Sequence, residues 1–312
     1  MKKYAFGVDI GGTTCKIGFF ETSGLLLDKK EIRTNTNNQG AGILPDVAQA
    51  IENKLAQEGI CKEDVQGIGI GVPGPVTSGG VVKRCINLGW GMVNVEDELG
   101  SLTDLKIKVG NDANVAALGE MWQGRAKGCR DVIMVTLGTG VGGGIIVDGK
   151  IVSGFHGAGG EIGHFTVNKD EIEACNCGRY GCLSQYASAT GIVRMAKRKL
   201  AKVSERTGLR GYPDLTAKDV FDEAKRGDEI ALGLVDEVCE ILGAALSNMA
   251  CVVNPEVIVI GGGVSKAGSI LIETIEKHFV ETSFFACRNT KFALASLGND
   301  AGMYGCVQML LD

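Results

Sequence analysis

One pattern occurs twice in this chain: strand, glycine turn, strand, strand, helix, strand. That repetition limits the fold more than any other feature. In the first copy, Tyr4–Asp9, Thr14–Phe20 and Leu25–Ile32 are short apolar runs separated by Gly11-Gly12 and by Thr22-Ser23-Gly24, which predicts a three-stranded meander. Val47, Ile51 and Leu55 then recur at helical spacing within Ile43–Ala56, and Val65–Val72 reads as a buried strand stopped by Pro73-Gly74-Pro75. The second copy opens with the strand Asp131–Leu137, the turn Gly138-Thr139-Gly140, the strand Val141–Val147, an Asp148-Gly149 hairpin turn and the strand Ile151–Val152. Helices Ala189–Ala201 and Asp228–Met249, the strand Val257–Ile260 and the helix Ala267–His278 follow. Two related α/β lobes are therefore expected, 1–110 and 111–300, with the crossover near Val109–Asn111. A closing helix, about 301–312, is expected to pack back on the first lobe.

Bulk properties exclude several classes. The 312 residues carry a net charge of -5, and the pI is near 5.4, so no phosphate-binding patch for nucleic acid or an anionic membrane is expected. The densest basic stretch, Arg194–Lys199, reads as a solvated last turn complementing its helix dipole. Asp9 interrupts the first apolar run too early for a signal peptide. The apolar run Ile241–Val264 is broken by Asn254-Pro255-Glu256, so no membrane span is expected. Eleven cysteines without a leader point to reduced thiols and a cytoplasmic protein.

Three glycine turns follow strands, where backbone approaches something closely. The first is Asp9-Ile10-Gly11-Gly12-Thr13-Thr14-Cys15-Lys16. Its amides and threonine hydroxyl suit phosphate oxygens, and an acid at the strand end suits a water on Mg²⁺; a plain tight hairpin fits equally well. The second, Gly138–Gly144, satisfies G-x-G-x-x-G, but strand-like Ile145-Ile146-Val147 follows where a dinucleotide fold needs a helix. The match of Gly144–Lys150 to a phosphate-loop pattern is accidental, because Ile151 replaces the Ser or Thr. The third, Gly261-Gly262-Gly263, can pass close to an adenosine or simply let helix and strand pack.

Two further segments carry chemistry. Asn111-Asp112 lies between a strand and a helix, where Asp112 suits a general base, although the residues alone favour an N-cap pair opening the helix Ala113–Glu120. Cys175, Cys177 and Cys182 offer three thiolates within one Gly/Asn-rich loop, and His164 precedes them, a closed tetrahedral zinc set. A disulfide or free core thiols fit that loop and compartment less well.

With these turns, the segments Val72-Pro73-Gly74-Pro75-Val76, Asn87-Leu88-Gly89-Trp90, Asn111–Asn114, Gly160–His164 and Cys175–Cys182 resemble the ROK family of sugar kinases and repressors, most closely its bacterial glucokinases. The resemblance runs from Asp9 to Asn299-Asp300-Ala301-Gly302. It implies two actin-like, ribonuclease-H-like lobes with an ATP and sugar cleft between them. It implies ATP-dependent phosphorylation of glucose at the 6-hydroxyl, with a kinase for another hexose, such as N-acetylmannosamine or fructose, as the alternative. A sugar-binding regulator is disfavoured, because the first glycine turn begins at Asp9 and leaves no room for a DNA-binding domain.

The resemblance also assigns roles. Asp112 is the base. The sugar rests on Gly74, Asn87, Asn111, Asp112, Glu161, His164 and Ser184. ATP, with Mg²⁺, rests on Asp9, Gly11, Gly12, Thr13, Lys16, Gly138, Thr139, Gly140, Gly262 and Gly263. A structural Zn²⁺ sits on His164, Cys175, Cys177 and Cys182, and the protein is a homodimer or homotetramer without nucleic-acid or membrane partners. Ser184 departs from the family, which places a glutamate there to bind sugar hydroxyls.

Overall fold

The computed structural model describes residues 2–77 and 79–311. The first lobe opens with β1 (Tyr4–Ile10), β2 (Thr14–Glu21) and β3 (Leu26–Arg33), an antiparallel meander. Helix α1 (Ile43–Glu58) returns the chain to β4 (Val65–Val72), which pairs parallel to β1. A short antiparallel pair of two-residue strands, β5 (Val81–Val82) and β6 (Val93–Asn94), precedes α2 (Val95–Thr103), capped by the Asn94 side chain. β7 (Ile107–Asn111) completes the sheet order β3-β2-β1-β4-β7.

Helix α3 (Asp112–Gln123) leads to the second lobe. Its strands are β8 (Val132–Leu137), β9 (Val141–Val147) and β10 (Lys150–Ile151), then β11 (Val257–Gly261) and β12 (Lys291–Leu294). Their order is β10-β9-β8-β11-β12, the topology of the first sheet repeated. Helices α4 (Ala189–Leu200), α5 (Ala217–Lys225), α6 (Glu229–Val253) and α7 (Ser269–Thr282) join or follow them, and α8 (Ala301–Leu311) ends the described chain. No helix among the described residues is long and apolar enough to cross a membrane.

Strand alternation decides what each face meets. In β1, Phe6, Val8 and Ile10 are buried in the cluster formed with α1 and α2, while Ala5 packs in a separate cluster with Met303, Val307 and Leu310 of α8. Asp9 shares the face of Ala5, and so emerges beside α8 rather than in the core. In the second lobe, Ile133, Val135 and Leu137 join the large cluster with α4–α7, while Val132 and Met134 pack with Ala117 and Leu118 of α3. Each fully buried large side chain contributes about 1.5–3 kcal/mol. So α8 covers the first sheet, α3 covers the second, and the two helices press against each other between the lobes. They touch through backbone. A Cβ on Gly119 would lie 2.1 Å from the Ala301 carbonyl oxygen, and one on Gly305 would lie 1.6 Å from that of Val115.

The closing helix packs on the first sheet through Met303, Val307 and Leu310. Helix α7 starts later than the pattern suggested, because Gly268 sits at φ 78, outside helical space. Helices α2 and α5 and strand β12 were not anticipated, although Thr216 and Asp219 form a capping box at α5 that the sequence spells out. The Arg194–Lys199 turn is corrected. Arg194 and Arg198 are not solvated charges but reach the buried carboxylate of Glu171 at 2.7 and 2.9 Å, and the Tyr186 hydroxyl donates to it at 2.7 Å. A carboxylate taken from water needs such charge-assisted partners. Arg198 foremost holds Glu171 far below the usual carboxylate range. The network fastens the 164–182 loop to α4.

Candidate active site

A cavity of about 660 Å³ opens along the face where both sheets present their strand ends. Asp9 and Lys16 line it from the first lobe, Asp112 from the head of α3, and Gly138, Gly140, Gly262 and Gly263 from the second lobe. Lys16 Nζ lies 3.8 Å from the Asp9 carboxylate and donates to the Asn299 carbonyl at 3.0 Å. Burial raises the Asp9 pKa, and Lys16 pulls it back. Gly11, Gly12, Thr13 and Thr139 are not among the lining residues. Gly11 N–H donates to the Thr14 carbonyl at 2.9 Å, and Thr34 donates to the carbonyls of Gly11 and Thr13, at 2.7 Å from its hydroxyl and 2.9 Å from its amide. The first turn is thus a braced hairpin whose tip is Gly12-Thr13. In the second, the Thr190 hydroxyl holds the Thr139 carbonyl at 2.8 Å.

Asn111 and Asp112 do two jobs from one position. The Asn111 side chain caps α3, accepting from Ala113 N–H at 3.0 Å and Asn114 N–H at 3.1 Å. Its other end donates to the Gly74 carbonyl at 3.1 Å, which ties the Pro73-Gly74-Pro75 loop to the helix head. One amide side chain thus joins the helix head to that loop. Asp112 is the first residue of the helix, and its Oδ1 accepts from Ala113 N–H at 2.8 Å. Burial raises its pKa to about 6; the Ala113 bond opposes this, and the nearby Asp9 and Glu161 charges add to it. A carboxyl so poised takes a proton near neutral pH.

The other residues that the resemblance assigns to the sugar sit at the two glycine turns and in the 161–164 segment. Asn87 faces the first turn, with its Cβ 3.7 Å from where a Cβ on Gly12 would lie. Glu161 Oε2 is 4.0 Å from His164 Nε2. Ser184 Oγ accepts from Val141 N–H at 3.0 Å, so the serine braces the end of the second glycine turn.

The four metal-ligand candidates converge, with one donor atom each all lying within 4.8 Å of one another. Cys177 and Cys182 sulfurs are 3.6 Å apart. His164 Nδ1 is buried without a hydrogen-bond partner, while Nε2 faces Glu161, so Nδ1 is the atom left for the thiols. Burial and the two neighbouring thiols push Cys182 up to about 12. Three thiols this close cannot ionise together without a cation among them, and an orphaned imidazole nitrogen completes a tetrahedral zinc donor set.

Sequence reasoning missed part of the cleft wall. Ser296, Gly298 and Asn299 line it, as do Thr136, Ser265 and Lys266. The only sequence hint was the Asn299-Asp300-Ala301-Gly302 segment. A second cavity of about 310 Å³ shares Gly263 and Lys266 with the cleft and is walled by Ala189, Ala217, Phe221, Val264 and Ala267.

Two lobes of one strand order, joined by a closely packed helix pair and opening on a common cleft, are the actin-like fold. The chain belongs to the ROK family, whose model matches residues 5–312. A glucokinase of Halalkalibacterium halodurans is 44% identical over 308 residues, 97% of this chain and 93% of that protein. A glucokinase of Thermotoga maritima is 35% identical over 312 residues, 98% of this chain and 96% of that protein. A crystal structure of a ROK family glucokinase from Streptomyces griseus, in complex with glucose and AMPPNP, superposes with a TM-score of 0.78 at 32% identity, covering 98% of each chain.

Proposed function

We propose that this protein phosphorylates glucose at its 6-hydroxyl with ATP. The observation that carries the reading is Asp112: a partly buried carboxyl on the cleft, at a helix head, with its pKa raised to about 6. The 44% identity to a glucokinase along nearly the whole chain supports glucose over other hexoses.

In this reading the triphosphate lies along the cleft between Gly11-Gly12-Thr13 and Gly138-Thr139-Gly140, near Lys16. The adenosine passes Gly262-Gly263, with the purine in the apolar cavity against Phe221 and Val264. Mg²⁺ would be held through a water on Asp9 and would neutralise charge on the transferring phosphoryl group. The sugar lies against Gly74, Asn87, Asn111, Glu161, His164 and Ser184. Asp112 accepts the 6-hydroxyl proton as that oxygen attacks the γ-phosphorus, and the bond to the β-bridging oxygen breaks. The lobes close about the α3–α8 contact and exclude water that would otherwise take the phosphoryl group. Zinc on His164, Cys175, Cys177 and Cys182 would be structural, fixing the loop so that Glu161 and the second nitrogen of His164 face the sugar.

The test is ADP release from the purified protein with glucose, mannose, fructose and N-acetylmannosamine, with the product's phosphorylated carbon assigned by ³¹P NMR. Glucose giving a 6-phosphate at the highest kcat/KM is expected. No turnover on glucose, with turnover on an N-acetylated hexose, would replace glucose as the substrate.

A further inference from the structure

Glu120 is fully buried on α3, two turns beyond the head that bears Asp112. It has no place in the chemistry above, and burying a carboxylate carries a large desolvation cost. What it receives in return is specific. Its Oε1 accepts from Ser296 N–H at 2.9 Å and from Leu297 N–H at 2.8 Å. Its Oε2 accepts from Arg125 N–H at 2.9 Å and from the Ser296 hydroxyl at 3.3 Å. Gly124 packs against this carboxylate so closely that a Cβ there would lie 2.0 Å from Oε2.

Ser296 and Leu297 lie in the segment between β12 and α8, and Ala295, Ser296, Gly298 and Asn299 of that segment form one wall of the cleft. Its start is tied to β11, where Ala295 N–H donates to the Ile260 carbonyl at 2.9 Å, and its end is tied to Lys16 through the Asn299 carbonyl at 3.0 Å. Glu120 holds the middle. At 1.5 Å of rise per residue, Glu120 stands about 12 Å along α3 from Asp112. One rigid helix thus carries the proton acceptor at its head and the anchor of the nucleotide-side wall further down.

We propose that Glu120 is a positioning residue for ATP: its carboxylate sets the 295–299 segment at the depth the nucleotide requires. The inference rests on the placement of ATP given above. Its signature is selective. The wall borders the nucleotide end of the cleft, whereas Asn111, Asp112, Glu161 and His164 are held by other contacts. Losing Glu120 therefore weakens ATP and spares the sugar.

The experiment is steady-state kinetics of the full-length enzyme, varying ATP and glucose separately. Charge-assisted bonds to backbone amides are the strong ones, and their loss allows a change of about tenfold to a hundredfold in affinity. Glu120→Ala is expected to raise the KM for ATP about tenfold or more, with the KM for glucose within about twofold. Glu120→Gln, which keeps one acceptor oxygen, is expected to shift the same constant less. Should the alanine variant fail to fold, Glu120→Gln and Glu120→Asp answer the question through the same ratio. Equal rises in both constants, or a lowered Tm with the KM for ATP unchanged, overturn the proposal. Gly138→Ala serves as the control for the nucleotide's location, since a Cβ there meets nothing closer than 3.9 Å and projects without a clash. If that variant raises the KM for ATP and the Glu120 variants do not, the Glu120 proposal alone fails. If it does not, the placement of ATP fails and takes the Glu120 proposal with it.

Discussion

Asp112→Asn should abolish turnover and yet make the protein more stable at neutral pH. The folded state raises the Asp112 pKa from 3.8 to about 6, chiefly through burial. Each unit is 1.36 kcal/mol, so holding this carboxylate ionised costs the fold about 3 kcal/mol above pH 6. The sign follows from proton counts. Between pH 3.8 and 6 the native state binds more protons at this site than the unfolded chain, so stability falls as pH rises through that window. Asparagine has no charge to desolvate, and its Oδ1 can keep the Ala113 bond. The variant should therefore match the wild type below about pH 4, gain across the window and hold a lead of about 2–3 kcal/mol at pH 7. The assay is urea unfolding of both proteins, without ligands, from pH 4 to 7, followed by two probes because two lobes need not unfold together. Protonation of the His164, Cys175, Cys177 and Cys182 cluster affects both proteins alike and cancels in the difference. In kinetics, the wild-type kcat/KM should rise with pH through an apparent pKa of about 6. The variant should lose more than about three orders of magnitude in turnover. A variant less stable than the wild type at pH 7, or a stability difference independent of pH, refutes the reasoning.

Two other outcomes are expected. Metal analysis of protein prepared without chelator should find one zinc per chain, and Cys177→Ser should lower both zinc content and activity; a variant keeping both would remove the cation from the account. Ser184→Glu should lower the KM for glucose by about tenfold to a hundredfold, if a charged acceptor there gains the family's hydrogen bonds, with less effect on the KM for ATP. Because Ser184 Oγ also braces Val141 N–H, destroyed activity in that variant would mean the serine serves the second glycine turn or leaves space for a bulkier sugar.

The repeated turn-and-strand pattern made the antiparallel meander of each sheet legible, because apolar runs and glycine turns are local signals, while the edge strand β12 was missed. The metal set was legible for the same reason: three of its cysteines fall within one short loop. What stayed hidden depends on long-range pairing. Glu171 reads as one more surface acid until α4 brings Arg194 and Arg198 onto it. Glu120 looks like an ordinary helix residue, since its amide partners at Ser296 and Leu297 lie far along the chain. That the Asn111 amide both caps α3 and holds the Gly74 carbonyl could not be read from sequence, since Gly74 lies far along the chain. Helix α2 escaped notice because nine residues give its apolar stripe only Val95, Leu99 and Thr103 to bury.

The position of α8 has a consequence for how the molecule is made. Ala5 and Phe20, synthesised long before their partners, bury themselves against Met303, Val307 and Leu310. The first sheet therefore keeps one bare face until α8 has been translated. The second lobe, whose strands and covering helices all precede residue 301, is free to finish before it. Nascent chains stalled with residues 1–300 outside the tunnel should accordingly resist protease across 131–294 and be cut within 4–111. Equal resistance in both regions would show that the first sheet holds together without its helix.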